Sequence, residues 1–434
     1  MKNKKFEFRG EVERASIPDD DAHNWMKTLE EGGFTYDEID KIMAHLNKTY
    51  RLSKKDEIVQ KRLEDKLAYL KSKYGKVFTE EERKEFKKMV EAGFFRRITS
   101  IKMQKSFLQT QEWLEFQKEV GHKTWRFDDG PTSPGGFEGR GKIRANIIKL
   151  GLPLGKSILY IPHGPEIDFE HIRSGIKNEL TNFVKYLKDL ARKEKAIFVK
   201  MEPLSDMVME LLYRRGIKRS SKQIQPYRTV IIDLNLPEEH LLGRMHQKTR
   251  YNINLSEKKG LNLEESSDVE TFWKLLKQTA KKDQFSTHPK EYYEKMLNFF
   301  KDSKELQTKL FFVKYENKPI GAALVMIYHP FDSAQGDPES YRMGHNSVYY
   351  LHGAMDRDYK SLMVPYFMHW EIIKKLKIEG CKFYDLWGID AKKWPGVTRF
   401  KLGWGGELKE YPGSFDMPVS RLWYLAYSLA RKIF

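Results

Sequence analysis

Apolar positions after residue 100 fall into two rhythms. Short runs of Val, Ile, Leu, Phe and Tyr at "SILYIP" (157–162), "AIFVK" (196–200), "TVIIDL" (229–234), "LFFVKY" (310–315) and "GAALVMIY" (321–328) predict β-strands. Between them, apolar residues recur every three or four positions over 168–193, 268–283, 289–302 and 361–379, which is the spacing of one helix face. The stretch "ENKPIG" (316–321) joins two of the strands as a turn, and "HPFDSAQGDPES" (329–340) reads as an exposed loop. Strands alternating with helices place this part of the chain in the α/β class. The first hundred residues differ. Three helical stripes run through them, one of Ile39, Ile42, Met43 and Leu46, one of Val59, Leu63, Leu67, Leu70 and Tyr74, and one of Phe86, Met89, Val90 and Phe94. They predict a small helical module ahead of a larger body.

Length and charge narrow the choice of partner. A chain of 434 residues with 40% hydrophobic content is enough for two or three cores. Basic residues outnumber acidic ones 78 to 61, a net charge of +17. Residues 1–100 hold 23 basic and 20 acidic residues, so 55 against 41 remain in residues 101–434, an excess of +14. That excess favours nucleic acid, phosphorylated metabolites or anionic lipid headgroups, without choosing among them. The lone cysteine, Cys381, excludes an intrachain disulfide framework and a CxxC zinc site, and its alternating neighbours make it a buried strand residue. The opening "MKNKKFEFRG" has no apolar stretch behind it, and no run reaches the roughly 18–20 apolar residues of a membrane span. A cytoplasmic protein is expected.

Familiar catalytic signatures are missing. The twelve histidines form no HExxH, and His240 and His246 are six apart, a poor fit to one helix face. Neither GxSxG nor a Walker loop occurs, and "GGFEGRGK" (135–142) reads as a flexible loop. "RMHQKTRYNINLSEKKG" (244–260) carries Arg244, Lys248 and Arg250 close together on a predicted helix; phosphate binding and an ordinary surface face both fit it. "GCKFYDLWGID" (380–390) is a predicted strand that ends at Trp387 and Gly388 between Asp385 and Asp390. It leads into "GVTRFKLGWGGELKEYPG" (396–413), where Phe400 and Lys401 are either pocket residues or part of a glycine-rich hairpin.

From about residue 105 onward the chain resembles the FemABX family of peptidoglycan-bridge aminoacyltransferases. The resemblance lies in "SFLQTQEWLEFQKEVG" (106–121), "YIPHGPEID" (160–168), "QKTRYNINLSEKKG" (247–260), "YLHGAM" (350–355), "PYFMHWEIIKKLKIEG" (365–380), "YDLWGID" (384–390) and "FKLGWGGELKEYPGSFD" (400–416), in the family's order. It implies mixed sheets in two tandem acetyltransferase-like (GNAT) domains. The first would span 101–204 plus 413–434 and the second 205–412, after a helical extension over 1–100. The implied activity is transfer of an amino acid from aminoacyl-tRNA to an amine on the peptide stem of a UDP-linked or lipid-linked muropeptide precursor. No cofactor or metal is implied. The final "SRLWYLAYSLARKIF" (420–434), with Trp423, Tyr424 and Tyr427 beside Arg431 and Lys432, either packs back on the first domain or makes a peripheral contact with the inner face of the membrane.

Matching positions carry implied roles. Phe400 and Lys401 match the family's FK pair, associated with the aminoacyl-tRNA end and the transition state. Asp168 matches an acid near the acceptor, and Lys248 and Arg250 fall in the helix that helps hold the precursor's phosphates. Where some relatives have a phosphate-binding lysine, this chain has Gln117, with Lys118 the nearest substitute about 100° around the helix. In "YLHGAM", Tyr350 is a substrate-binding candidate and His352 stands where relatives carry a tyrosine.

The implied chemistry gives the lysine a purpose. An aminoacyl ester is already activated, so an amine attacks it without an enzyme nucleophile. Negative charge grows on the carbonyl oxygen and on the departing ribose oxygen, and a positioned ammonium stabilises it. Proton removal from the amine is open between Asp168 and substrate or water. The rivals are a GNAT-type acyl-CoA transferase, which needs a pyrophosphate loop not found here, and a non-catalytic tRNA- or precursor-binding protein.

Overall fold

The structure, a computed structural model, describes residues 106–129, 143–167, 176–220, 222–283, 285–330 and 346–433. The helical stripes of residues 1–100, Asp168, the "GGFEGRGK" loop and most of the 329–340 loop lie outside them.

In chain order, a 3-10 turn at Phe107–Gln109 precedes helix α1 (Gln111–Glu119), then strands β1 (Thr124–Asp128), β2 (Ile143–Gly151), β3 (Ser157–Ile161) and β4 (Glu166–Ile167). Helix α2 (Lys177–Lys193), β5 (Ala196–Met201), α3 (Asp206–Arg214) and β6 (Lys218–Arg219) follow. The middle of the chain forms β7 (Arg228–Asp233), α4 (Glu238–Arg244), α5 (Gln247–Glu257), β8 (Asn262–Ser266), α6 (Val269–Asp283) and α7 (Lys290–Phe299). Then come β9 (Leu306–Tyr315), β10 (Lys318–Tyr328), β11 (Ser347–Met355), a 3-10 segment (Arg357–Leu362) and α8 (Val364–Ile378). Last are β12 (Phe383–Asp385), α9 (Pro395–Leu402), β13 (Glu407–Glu410), β14 (Phe415–Pro418) and α10 (Arg421–Ile433).

The strands build two mixed sheets. One runs β1-β2-β3-β5-β14-β6, with β4 on β2; the other runs β13-β7-β12-β11-β10-β9-β8. Each contains one parallel pair, β3 with β5 and β11 with β12, among antiparallel neighbours. The mixed α/β architecture is therefore the one expected. Strand β14 returns the chain end to the first sheet, where the Lys200 ammonium meets Asp416 at 2.7 Å and also donates to Ser220, Ser414 and the Lys222 carbonyl. Such a buried charge is tolerated because its donors are all matched.

Strand β10 separates two cores of the second sheet. From Ala322 to Tyr328 its side chains alternate strictly: Ala323, Val325 and Ile327 enter the core under α4, α5 and α8, while Ala322, Leu324, Met326 and Tyr328 enter the core under α6 and α7. The β9–β10 turn puts Glu316 and Asn317 at φ 48° and 61°, the left-handed pair a tight hairpin requires. Helix α1 precedes the first sheet in sequence but packs on the second. The Phe116 ring centre lies 5.1 Å from that of Phe300, and the Phe107 ring 4.8 Å from that of Tyr349. Gln109 ties the same segment to the first sheet, accepting from the Asn146 amide at 2.8 Å and donating to the Pro162 carbonyl.

Three sequence expectations change. The predicted helix over 361–379 starts later, because Met363 sits at φ 56° and breaks it from the 3-10 segment before it. Cys381 is buried, yet it lies in the turn between α8 and β12 rather than in a strand. The Phe400–Lys401 stretch is the end of helix α9, not a hairpin: Pro395 opens the helix at its first turn and the glycines follow it.

Candidate active site

The two parallel strands of the second sheet are paired over only Ser347–Tyr349 and Phe383–Asp385. Beyond that point no ladder joins them. Trp387, at φ 57°, redirects the backbone there, and the Trp387 and Gly388 carbonyls meet α9. The Lys401 ammonium donates to Gly388 at 2.8 Å and to Trp387 at 3.2 Å. It lies 5.8 Å from the centre of the Tyr350 ring, and among the described residues it makes no third hydrogen bond. Burial lowers its pKa to about 8, opposed by the charge of Asp385. Burial in turn raises Asp385 to about 6, against bonds from the Thr229 hydroxyl and the Trp387 amide and the charge of Lys401.

Aromatic rings wall this lysine. Phe400 is edge-on to Tyr366 at 5.1 Å, and His369 packs against Tyr350 at 4.5 Å and Phe400 at 5.5 Å. The His369 Nδ1 pairs with the Tyr384 hydroxyl at 2.9 Å. Burial, helped by Lys401, lowers His369 to about 3, so its ring is neutral. Among the described residues, the His369 Nε2 and the Trp404 Nε1 are buried with no hydrogen-bond partner. A cation among rings and fixed carbonyls, shielded from water, is an arrangement that acts strongly on nearby negative charge.

The glycines after α9 let this helix approach the basic segment. The Gly403 carbonyl accepts from the His246 amide at 2.9 Å, and a Cβ on Gly403 would stand 2.6 Å from the Thr249 hydroxyl. Gly405, at φ 70°, faces the Arg244 carbonyl so closely that a Cβ would lie 2.2 Å from it. Helix α5 is thereby fixed against the Lys401 helix at its first turn. Lys248 is exposed there. Arg250 is instead folded onto the end of α4, donating to the Met245 carbonyl and, at 3.4 Å, to Leu242. It thereby caps the Met245 carbonyl just past α4, while the Leu242 carbonyl also accepts from the Met245 amide.

Other predicted residues lie apart from Lys401. His352 is on the far face of β11, edge-on to Tyr293 at 5.2 Å, with its pKa lowered to about 4 by burial and by His288. Lys118 is on the outer face of α1, paired with Glu115 at 2.8 Å, while Gln117 is buried and bonds to Tyr292. The structure brings Phe400, Lys401 and Tyr350 together, and the sequence reading passes over His369 and Tyr384. The available signal was a histidine within "YFMHW" (366–370), an otherwise aromatic and apolar run.

A shallow, open cleft adjoins the lysine's acceptor segment, lined by His163, Glu202, Gln225, Pro226 and Tyr411 among others. Pro226 fills the space a Gly388 Cβ would need, at 2.7 Å, so the 387–388 backbone separates this cleft from Lys401. His163 bonds Ser106 at 2.9 Å and lies 5.8 Å from Trp387; burial lowers it to about 3. Burial also raises the Glu202 carboxyl, which accepts from Tyr160 and from the Ile224 and Gln225 amides.

Residues 215–316 and 342–432 match the FemAB family. Lipid II:glycine glycyltransferases of Staphylococcus epidermidis and Staphylococcus haemolyticus are each 23% identical, with 73% of this chain and 89% of the relative covered. The Staphylococcus aureus protein of that name is 22% identical over the same shares. The crystal structure of FemX superposes with a TM-score of 0.59 at 20% identity, covering 74% of this chain and 94% of FemX.

Proposed function

We propose that this chain is an aminoacyltransferase of the FemABX family, that its donor is aminoacyl-tRNA and that its acceptor is an amine on a lipid-linked peptidoglycan precursor. The acceptor follows from the relatives' name as lipid II:glycine glycyltransferases. The donor rests on the motif resemblance and on the basic excess of residues 101–434, which suits a polyanion.

The observation that carries the mechanism is the Lys401 ammonium, buried, ringed by aromatics and held by two carbonyls. The acceptor amine attacks the ester carbonyl carbon. A C–N bond forms, the bond from that carbon to the ribose oxygen breaks, and one proton passes from the amine to the departing oxygen. Lys401 keeps one N–H for the oxygen on which charge accumulates, an interaction stronger in the transition state than in the ground state. Phe400 and Trp404 exclude the water that would otherwise hydrolyse the ester. Asp168 is the acid we place near the acceptor amine, and exposed Lys248 is positioned for a phosphate oxygen.

The test pairs purified protein with radiolabelled aminoacyl-tRNA and soluble or lipid-linked muropeptide, without ATP, metal or acyl-CoA. Label should appear on the muropeptide. Transfer from an acyl-CoA with none from aminoacyl-tRNA would overturn the reading.

A further inference from the structure

Helix α10 packs with one face and leaves another apolar face in water. Tyr424 and Tyr427 both rest on Phe198 at 5.2 Å, and the Tyr424 hydroxyl donates to Asp416 at 2.9 Å. Leu422, Leu425 and Leu429 recur at helical spacing on a different side and are 83%, 58% and 52% exposed. Trp423 is partly exposed beside them, with the Lys156 ammonium 4.6 Å above its ring. Lys156 closes the turn that carries Leu154, which is itself 80% exposed.

The charged residues of the segment that carries the stripe are all of one sign. From residue 417 to 434 the chain has no Asp or Glu, but it has Arg421, Arg431 and Lys432. Lys222 joins them, donating to the Arg431 carbonyl at 3.0 Å. A leucine stripe with an edge tryptophan and a rim of cations matches the layered chemistry of a bilayer surface, with acyl chains beneath anionic headgroups. Among the described residues no helix is long and apolar enough to cross a membrane, so such a contact lies on the surface.

We propose that the exposed face of α10, with Leu154 and Lys156 beside it, docks this protein on an anionic lipid bilayer. The leucines enter the acyl boundary, Trp423 sits at headgroup depth, and the cations meet lipid phosphates. The face is argued without reference to the catalytic reading. Only one consequence rests on that reading: docking should favour a lipid-linked acceptor over a soluble one.

The experiment is flotation of the full chain with vesicles of phosphatidylglycerol and phosphatidylcholine, and with phosphatidylcholine alone. Binding is expected only to the anionic vesicles and should weaken as salt rises. The triple variant Leu422→Glu, Leu425→Glu, Leu429→Glu should lose about tenfold or more of that binding, with an unchanged thermal midpoint, because the replaced side chains are exposed. Leu425→Ser alone should lose part of it, and brominated lipid should quench fluorescence in the native chain more than in Trp423→Phe. Absence of vesicle binding by the native chain, or equal binding by the triple variant, would overturn the proposal. So would a fall in thermal stability or a change in solution mass for the triple variant, since the stripe would then be covered by another part of this chain or by a second copy. Vesicle binding without any aminoacyl transfer would leave the docking face standing and count against the catalytic reading alone.

Discussion

Tyr350 and His352 stand two residues apart on one strand and face opposite sides of the second sheet. In regular pairing they would share a face. Strand β11 carries an extra residue: Leu324 pairs with His352 and Val325 with Tyr350, so Leu351 bulges and reverses the alternation. Tyr350 consequently reaches His369 and Lys401, while His352 reaches Tyr293.

That reversal predicts separable phenotypes. The Tyr350 hydroxyl occupies the place a Cβ on Gly353 would take, at 1.5 Å. Gly353→Ala should therefore displace the phenol and slow single-turnover transfer by about tenfold or more, the scale of a misplaced group in an oriented site. Tyr350→Ala should give a similar loss, and the double variant little beyond it. His352→Phe should transfer at the native rate. A His352→Phe defect as large as that of Tyr350→Ala would place both side chains in one site, contrary to the bulge.

Lys401 should govern both rate and pH dependence. Removing one charge-assisted contact made mainly in the transition state lowers turnover roughly 100- to 1000-fold, so Lys401→Ala should do so with substrate affinity nearly retained. Lys401→Arg should restore little, because a planar fork does not occupy a point-charge position. The ammonium persists below its pKa of about 8, so transfer should decline as pH rises through that value. Stability runs the other way. The folded state sheds this proton near pH 8 and the unfolded chain near 10.5, so its contribution to stability rises with pH across that window. At neutral pH, Lys401→Met should fold at least as stably as the native protein while failing to transfer.

Arg250 and Lys248 should part company. Arg250→Ala removes the side-chain donor to the Met245 carbonyl at the end of α4, so it should cost on the order of 1–2 kcal/mol in denaturant unfolding. Lys248→Ala should leave stability within about 0.5 kcal/mol, as exposed substitutions do, and weaken binding of a phosphate-bearing acceptor more than one without phosphates. Equal stabilities for the two variants would show that Arg250 does not cap α4.

Regular elements were readable because their periodicity is local. Strands over 196–200 and 321–328 and the turn at 316–321 follow from β-branched runs and from Asn317, which tolerates positive φ. The α9 helix was missed because its glycines drew attention as hairpin residues, although "WPG" contains the proline that starts a helix. The β11 bulge leaves no mark in the alternation of "VYYLHGAM", since both faces of that strand pack against a core and both accept aromatic or apolar residues. The partners of Lys401 were also out of reach. They are backbone carbonyls freed where two parallel strands part, and a carbonyl has no letter in the sequence. The role of Arg250 depends likewise on the end of the preceding helix folding back within reach.

Acid should unfold this protein through histidines that burial keeps neutral. His163, His352 and His369 have their pKa values lowered to about 3, 4 and 3, against 6.5 for an ordinary histidine. The unfolded chain takes up these protons first as pH falls, so stability is full above about 6.5 and is lost progressively toward 3–4. Asp385 opposes this in part, since its folded pKa of about 6 lies above the ordinary 3.8 and favours the folded state as pH drops through that interval. Three groups displaced downward outweigh one displaced upward, so the net slope should be destabilising. His352→Phe keeps the ring contact with Tyr293 and removes one titrating site. Denaturant unfolding of the native protein and this variant, compared at pH 7 and pH 5, should show the variant losing less stability by roughly 1–2 kcal/mol, the range one histidine supplies across that interval. Equal losses in the two proteins would mean that His352 is protonated within the fold, which would place its ring in contact with water rather than in the core beneath α7.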